Sequence, residues 1–584
     1  VSTPTVPATP AAPDAPGPRD GDRVLRGVGV GRRGVVGPVA QVQPPPHVDD
    51  DAPLLVDGVP ADPATAHRIV DEAFTRVVED LRAQSSRATG TVRDVLAATA
   101  QMADDKALRS QVLTRISAGD HVVHAVDGVV AMFATMFQQA GGYLAERVTD
   151  LRSVRDRVVA QALGLPAPGV PHLDRPSVVV ARDLAPADTA ALDLDKVLAI
   201  VTELGGPTGH TAIIAGQLGL PCVVQVPFAT TVEDGTEVAV DAAAGTLTLD
   251  PDDALRAELT RRSGVEDALA ADTAPGGTAD GRPVQLLANI GTAEDAERIS
   301  GAAVEGVGLF RTEVLFLERT TAPTREEQSA VYARTLAALG ERKVVVRTLD
   351  AGADKPLAFA TQADEENPAL GVRGYRLVRN APELLDVQLA ALGAAQSETG
   401  AAPWVMAPMI ATAAEARDFA ARARAHGLST VGVMVEIPAA ALRAREILAE
   451  VDFVSLGTND LAQYTMATDR LRGELADLLD PWQPAVLDLV DATARAGQEL
   501  HKPVGVCGES ASDPVLALVL VGLGVTSLSM SAGAVPAVRY ALRNHTGAQC
   551  ATMAAAALAA ESAEAARAAV VAMLVPEVRD TLGV

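Results

Sequence analysis

Aromatic residues are scarce in this chain. Phe, Trp and Tyr make up 3% of its 584 residues, with only two Trp, so its cores must be built from Val, Leu and Ala rather than from stacked rings. Three cysteines, Cys222, Cys507 and Cys550, cannot form a paired framework and are too scattered for a CxxC knuckle. That excludes a disulfide-stapled fold and fits a reducing compartment. Positive charge is also short, since 49 Lys and Arg against 75 Asp and Glu leave a net charge of −26. A surface this acidic repels polyanions, which excludes nucleic acid as a partner. Any anionic substrate must therefore meet a local cluster of Arg and Lys. Long hydrophobic runs are missing as well: the stretch 515–525 is too short to cross a bilayer, and no basic segment followed by an apolar block opens the chain. A cytoplasmic protein without membrane insertion is expected.

What is present fits a folded protein, with 48% hydrophobic and 21% charged residues. At about 150 residues per domain the length suggests three or four units, although an α/β barrel can absorb about 250 residues alone. Pro4, Pro7, Pro10, Pro13, Pro16 and Pro18 make residues 1–20 a disordered, solvated tail. Small apolar residues alternate with glycines over 24–42, which suggests a short β-hairpin, and the prolines from Pro44 break it. Apolar residues then recur at three- and four-residue spacing from about 61 to 163, a helical block. The β signal returns at 177–184, 196–203, 221–226 and 236–250 around one helical stretch near 211–219. This reads as an α/β unit whose strands pair with the earlier hairpin, with the helical block as an insertion. Gly and Pro density over 272–283 marks a linker, after a helical run ending near Ala271.

Beyond the linker lie eight short β-like runs, at 284–290, 306–313, 343–349, 404–410, 431–437, 453–459, 503–509 and 527–532, separated by helical patterns. That alternation predicts a (β/α)8 barrel. The expected division is therefore a tail (1–20), an α/β domain (21–48 and 165–255) carrying a helical insertion (49–164), a linker (256–283) and a barrel (284–584).

Reactive groups of such barrels gather at the C-terminal ends of the strands and in the loops that follow. Reading those positions yields Asn289, Arg311, Arg347, Glu436, Asn459, Asp460, Cys507, Glu509 and Ser529, with Asp354, Lys355, Arg373 and Arg470 in the loops. A lone strand-end arginine is ordinarily an ion-pair partner. Several at one mouth of an acidic protein point to a small polyanion, because guanidinium forks match carboxylate and phosphate oxygens two at a time. Glu436 and Asp460 close adjacent strand runs, and a hard divalent cation such as Mg²⁺ would relieve their repulsion; the alternative is an ion pair with an arginine. Cys507 is either a small buried apolar residue or a group that exchanges a proton with a substrate carbon. Glu509 is left open between metal, hydrogen-bonding and structural roles. His210 lies in Gly205-Gly206-Pro207-Thr208-Gly209-His210-Thr211, between an expected strand and a helix start. Glycines and unpaired amides there suit a phosphate, so His210 is either a phosphoryl acceptor or an incidental residue beside a helix cap.

Seven segments, GGPTGHTAIIA, EGVGLFRTEVLF, RTLDAGADK, ENPALGVRGYR, GVMVEIPAA, FVSLGTNDLAQYTMATDR and GVCGE, resemble in order those of Enzyme I of the bacterial phosphoenolpyruvate:sugar phosphotransferase system. The resemblance runs from about Leu25 to near the C-terminus. It implies a phosphohistidine α/β domain with an inserted helical domain, followed by a phosphoenolpyruvate-binding (β/α)8 TIM barrel. It implies that His210 is phosphorylated and that Arg311, Arg347, Arg373 and Arg470 bind phosphoenolpyruvate with Lys355 assisting. Glu436 and Asp460 fall on Mg²⁺ ligands, Asn459 on a substrate contact and Cys507 on the proton donor to the enolate carbon. The helical insertion falls on the docking surface for the carrier protein HPr, and the barrel on the contact of a homodimer. His210 would then travel between two sites, with 272–283 or the connections to the helical insertion as the hinge.

The sequence departs from the family pattern at Pro207, where Arg is common, at Gly209, where Ser or Thr is usual, and at Gly216, where Arg commonly stands. Phosphoenolpyruvate synthase and pyruvate phosphate dikinase share the histidine unit and barrel but add a nucleotide-binding domain, and no Gly-rich phosphate loop followed by Lys precedes the histidine here. A different class of alternative is a non-enzymatic regulator that binds phosphoenolpyruvate without relaying phosphate.

Overall fold

The structure is a computed structural model describing residues 23–31, 33–43, 54–56, 59–87, 99–140, 148–165, 168–170, 173–184, 192, 196–206, 211–212, 215–216, 219–316, 319, 321–351, 357, 359, 365, 367–469 and 473–584. It divides into two compact units, Val1–Ser263 and Gly264–Val584.

Short Val-rich segments form the strands of the first unit, because β-branched side chains fit a pleated, half-buried surface. These are β1 (Val24–Arg26), β2 (Val28–Val30) and β3 (Gly34–Gln41), a two-residue ladder of β4 (Leu55–Val56) with β5 (Val59–Pro60), then β6 (Ser177–Ala181), β7 (Val197–Thr202), β8 (Cys222–Val224), β9 (Glu237–Asp241) and β10 (Thr246–Leu249). The main sheet runs β1-β10-β9-β3-β6-β7-β8-β2. The hairpin expected at 24–42 is therefore not formed: β1 pairs antiparallel with β10 and β2 antiparallel with β8. Only Gly27 separates β1 from β2, and its N–H donates to Gly245 O at 2.9 Å. A sheet whose two edge strands are consecutive in the chain must curl toward closure. β3 lies in its middle, parallel to β6 and antiparallel to β9.

The helical block between β5 and β6 contains Pro63–Arg87, Lys106–Ser117, Val122–Ala140 and Val148–Leu163. Val70, Phe74, Val77 and Leu81 line one face of the first helix and share a core with Val112, Ile116, Val126 and Val158. Asp105 starts the second by accepting the Leu108 N–H.

The second unit contains β11 (Gln285–Ile290), β12 (Gly306–Arg311), β13 (Lys343–Arg347), β14 (Trp404–Ala407), β15 (Thr430–Val435), β16 (Phe453–Gly457), β17 (Val504–Cys507) and β18 (Ser527–Met530). Neighbours are parallel and β18 pairs with β11, so the sheet closes into an eight-stranded barrel. Each of the eight expected runs coincides with one strand, β15 starting one residue early at Thr430. Intervening helices start on capping boxes, Thr292 with Asp295, Thr324 with Glu327 and Thr412 with Glu415, or on a first-turn proline, as at Pro382, Pro484 and Pro514. Leu309, Val345, Met406, Met434 and Phe453 cluster with Cys507 in the barrel interior. The reactive mouth therefore sits on a plugged floor.

Residues 272–283, expected as a flexible linker and hinge, instead fold onto this barrel. The Gly276 N–H donates to Glu305 Oε1 at 2.6 Å and the Ala279 N–H to His545 O at 2.9 Å. Arg539, 2% exposed, donates to Asp272 O at 2.7 Å. Here Gly and Pro mark tight turns rather than freedom. Upstream, the helical run expected to end near Ala271 is the helix Asp253–Ala270, which takes up most of 256–271. No helix among the described residues is long and apolar enough to cross a membrane.

Candidate functional site

A parallel barrel delivers its strand ends to one mouth. β12 ends on Arg311, β13 on Arg347 and β17 on Cys507; Glu436 follows β15, and Asn459 and Asp460 open the helix Thr458–Met466 after β16. Arg373 immediately precedes the 3-10 turn Gly374–Arg379. The guanidinium of Arg347 bonds the Glu313 carboxylate, and its Nη1 lies 3.7 Å from Asp350 Oδ2 and 3.9 Å from Glu436 Oε1. Arg373 donates to Asp350 through Nη2 at 2.8 Å and Nε at 3.3 Å, and its Nη1 reaches Asp460 Oδ1 at 3.0 Å and Tyr464 Oη at 3.3 Å. Asp350 thus links the two guanidiniums.

Backbone geometry fixes the acidic side. The Met409 N–H donates to Glu436 Oε2 at 2.9 Å from a left-handed backbone, φ 58°, which a non-glycine residue adopts only when its surroundings hold it there. Gly457 lies against the same carboxylate: a Cβ there would come within 2.6 Å of Glu436 Oε1. Gly508, at φ 112°, leaves space for Asn459, whose Oδ1 would be 3.0 Å from a Cβ and accepts the Glu509 N–H at 3.3 Å. Glu509 itself is exposed. Asn289 and Ser529 pair with each other, Ser529 Oγ donating to Asn289 Oδ1 at 2.5 Å.

Two buried guanidiniums, Arg347 and Arg373, face four buried carboxylates, Glu313, Asp350, Glu436 and Asp460. Burial works against the charged form of Arg347, but Glu313, Asp350 and Glu436 outweigh it and raise its pKa. Arg373 behaves likewise through Asp350 and Asp460. Burial, reinforced by the charges of Asp460 and Asp350, pushes Glu436 up to about 8. The Cys507 thiol is raised chiefly by burial; the Ser455 hydrogen bond, Arg347 and Arg311 pull the other way, and Glu436 adds to the rise. Arg311, half-buried, therefore acts on the same sulfur as Arg347.

The residues fit a hard dication. Burial and the nearby Asp460 and Asp350 charges work against the ionised form of Glu436, and a divalent charge would stabilise that form. Among the described residues no group of three His, Cys, Asp or Glu side chains is placed to hold a metal. Two carboxylates nevertheless match what Mg²⁺ takes from a protein when substrate oxygens and water complete its shell.

The structure thus brings together Arg311, Arg347, Arg373, Glu436, Asn459, Asp460 and Cys507. His210, Lys355 and Arg470, with Asp354, lie outside the described residues. Before His210, β7 leads into Gly205 at φ 85°, and after it Thr211 Oγ1 donates to Leu184 O at 3.3 Å. Strand-end reading missed Glu313 and Asp350, each two or three residues past a strand-end arginine, and also Tyr464 and Ser455. The available signal for the first pair was a carboxylate closely following each arginine in RTE and RTLD.

Three family models match the chain in order: PEP-utilising enzyme, N-terminal, over residues 26–147; mobile domain, over 173–245; and PEP-binding domain, over 266–546. The chain is 49% identical over 544 residues to a phosphoenolpyruvate-protein phosphotransferase of Streptomyces coelicolor, an alignment spanning 92% of this chain and 96% of that protein. It is 39% identical to one of Haloferax volcanii, over 89% of this chain and 94% of that protein. A third, of Bacillus subtilis, is 36% identical over 79% of this chain and 85% of that protein.

Proposed function

The chain belongs to the phosphoenolpyruvate-protein phosphotransferases, the Enzyme I family, and on that footing we propose that it moves the phosphoryl group of phosphoenolpyruvate onto its own His210. It then releases pyruvate and passes the group to a histidine of the carrier HPr, the first step of sugar uptake by the phosphotransferase system. The observation that carries this reading is the pair of buried arginines joined through Asp350 beside Glu436, Asp460 and Cys507.

Arg311, Arg347, Arg373 and Arg470, with Lys355, bind the carboxylate and phosphate oxygens, and Asn459 orients them. Fixed guanidinium donors neutralise the charge that spreads over the transferring group without reorganising during the step. Glu436 and Asp460 would hold Mg²⁺, which when bound supplies further stabilisation of that charge. The His210 imidazole takes the phosphorus as the bridging C–O–P linkage breaks on the phosphorus side, leaving the enolate of pyruvate. Cys507 is suited to end that enolate: burial keeps its thiol protonated, and its S–H breaks as a C–H forms on the methylene carbon. Protonation at carbon makes the transfer run forward by trapping the ketone.

The helical block is the HPr docking surface in this reading. Supporting it, Met132 and Met136 are 41% and 55% exposed on Val122–Ala140, and flexible methionines suit an adaptable contact. A cytoplasmic homodimer formed through the barrel completes the proposal.

Incubation with phosphorus-labelled phosphoenolpyruvate and Mg²⁺ tests it. Acid-labile label on His210, lost in His210→Ala and transferable to HPr, is the expected result. Phosphoenolpyruvate binding without label would support the regulator instead, and phosphoenolpyruvate made from ATP and pyruvate would support the synthase or dikinase reading.

A further inference from the structure

β16 and β17 pair in parallel, with Ser455 opposite Gly505 and Gly457 opposite Cys507. Side chains alternate along a strand, so residues 453, 455 and 457 share a face. Phe453 belongs to the interior cluster of Leu309, Val345, Met406, Met434 and Cys507, which sets Ser455 inside the barrel one layer beneath the thiol. It is 6% exposed, and its Oγ donates to Cys507 Sγ at 3.4 Å. That is its one hydrogen bond from the side chain among the described residues. Cys507, 2% exposed, donates in turn to Leu456 O at 3.5 Å.

Burying a hydroxyl is unfavourable unless the hydroxyl is well bonded, and a neutral thiol is a weak acceptor. An alanine would fill this position without a buried polar atom, so packing does not account for the serine. The sulfur changes character once its proton is gone. Hydrogen bonds to an ionised acceptor are roughly twice as strong as those between neutral groups. The Ser455 bond is therefore weak in the resting enzyme and strong in the state that proton delivery creates, and only such differential interactions speed a step.

We infer that Ser455 is a positioning residue for the proton donor, its hydroxyl stabilising the Cys507 thiolate formed when the substrate carbon is protonated. The inference rests on the role proposed above for Cys507. The S–H bond breaks with its electron pair left on sulfur, the proton forms the new C–H bond of pyruvate, and the Ser455 O–H stays intact. The sulfur later regains a proton from water. Glu436, Arg347 and Arg311 also act on this sulfur, and Ser455 is the one neutral group among these influences that touches it.

Ser455→Ala, Ser455→Thr and Cys507→Ala are compared in the full chain with phosphoenolpyruvate and Mg²⁺. The readouts are KM and kcat, deuterium incorporation into the pyruvate methyl group in D2O, and the pH midpoint for alkylation of Cys507 followed by peptide mass. Ser455→Ala should keep KM within about twofold, slow kcat and methyl exchange roughly ten- to a hundredfold, and raise the alkylation midpoint by about one pH unit, with Ser455→Thr restoring much of each. An unmoved alkylation midpoint or unchanged methyl exchange in Ser455→Ala overturns the inference while leaving Cys507 as donor, provided Cys507→Ala abolishes exchange. Wild-type exchange in Cys507→Ala removes the donor itself, and the inference with it.

Discussion

Asp350 offers the sharpest quantitative test of the site. Its carboxylate, 6% exposed, receives two hydrogen bonds from Arg373, at 2.8 and 3.3 Å, and lies 3.7 Å from Arg347. Asp350→Asn keeps the shape and one acceptor oxygen but removes the charge. Deleting one partner of a buried ion pair ordinarily costs about 3–5 kcal/mol. Arg373 retains Asp460 at 3.0 Å, so the lower figure, ~3 kcal/mol, applies. At about 2–4 °C per kcal/mol for a unit of this size, the barrel should melt some 6–12 °C lower. Phosphoenolpyruvate should reverse part of that loss, because its anionic groups supply the missing negative charge. The assay is calorimetric melting of Asp350→Asn and its parent, both carrying His210→Ala so that the ligand binds without being consumed. The ligand-induced rise in Tm should be larger in the variant, while kcat of the same variant with His210 intact should fall about tenfold or more as Arg373 loses its anchor. A variant melting within about 1 °C of its parent, or an equal ligand-induced rise in both, would refute the assignment of Asp350 as the link between the arginines.

Gly457→Ala should preserve the fold and weaken the acidic side, since the new Cβ would meet Glu436 Oε1 at 2.6 Å; crowding of this kind costs about 1–3 kcal/mol, and titrating activity with Mg²⁺ should show a requirement raised roughly tenfold or more. Lys343 predicts a pH effect of defined sign at the opposite end of the barrel, where its Nζ lies 3.8 Å from the Trp404 ring centroid and burial lowers its pKa from 10.5 to about 8. A depressed lysine leaves the folded state with fewer protons than the unfolded one, so its contribution to stability is present above about 10.5 and lost as pH falls through about 8. Urea unfolding should therefore show wild type gaining on Lys343→Met between those values by at most ~3 kcal/mol, and parallel profiles for the two proteins would contradict this.

The barrel is legible in the sequence because strands covered on both faces read as unbroken apolar runs, of which Val344, Val345 and Val346 are an example. The strand-end rule then picks out Arg311, Arg347, Glu436, Asp460 and Cys507 without any coordinates. What escapes the sequence is partnership at long range. The glycine-spaced stretch 24–42 reads as a hairpin, yet β1 and β2 find β10 and β8 beyond the helical block, and no local pattern encodes that choice. Gly and Pro over 272–283 suggest a loose tether, whereas Glu305 and His545 bind its amides from remote positions. Asp350, Glu313 and Ser455 escape for the same reason, since each matters through the side chain it touches.

Arg373 rests on Asp350 and Asp460, and Arg347 on Glu313. In the proposed reaction an arriving anion would have to loosen these internal ties, much as a turnstile yields only to enough force. Acetate or chloride, with one negative charge, can satisfy a single guanidinium and would strand the displaced carboxylates against one another. A ligand bearing both carboxylate and phosphate, accompanied by a dication, would replace every tie it loosens. Pyruvate, once stripped of phosphorus, falls back into the first class. In the proposed reaction the protein's own ion pairs would then close behind it, so the same contacts that discriminate at binding would also drive the spent molecule out.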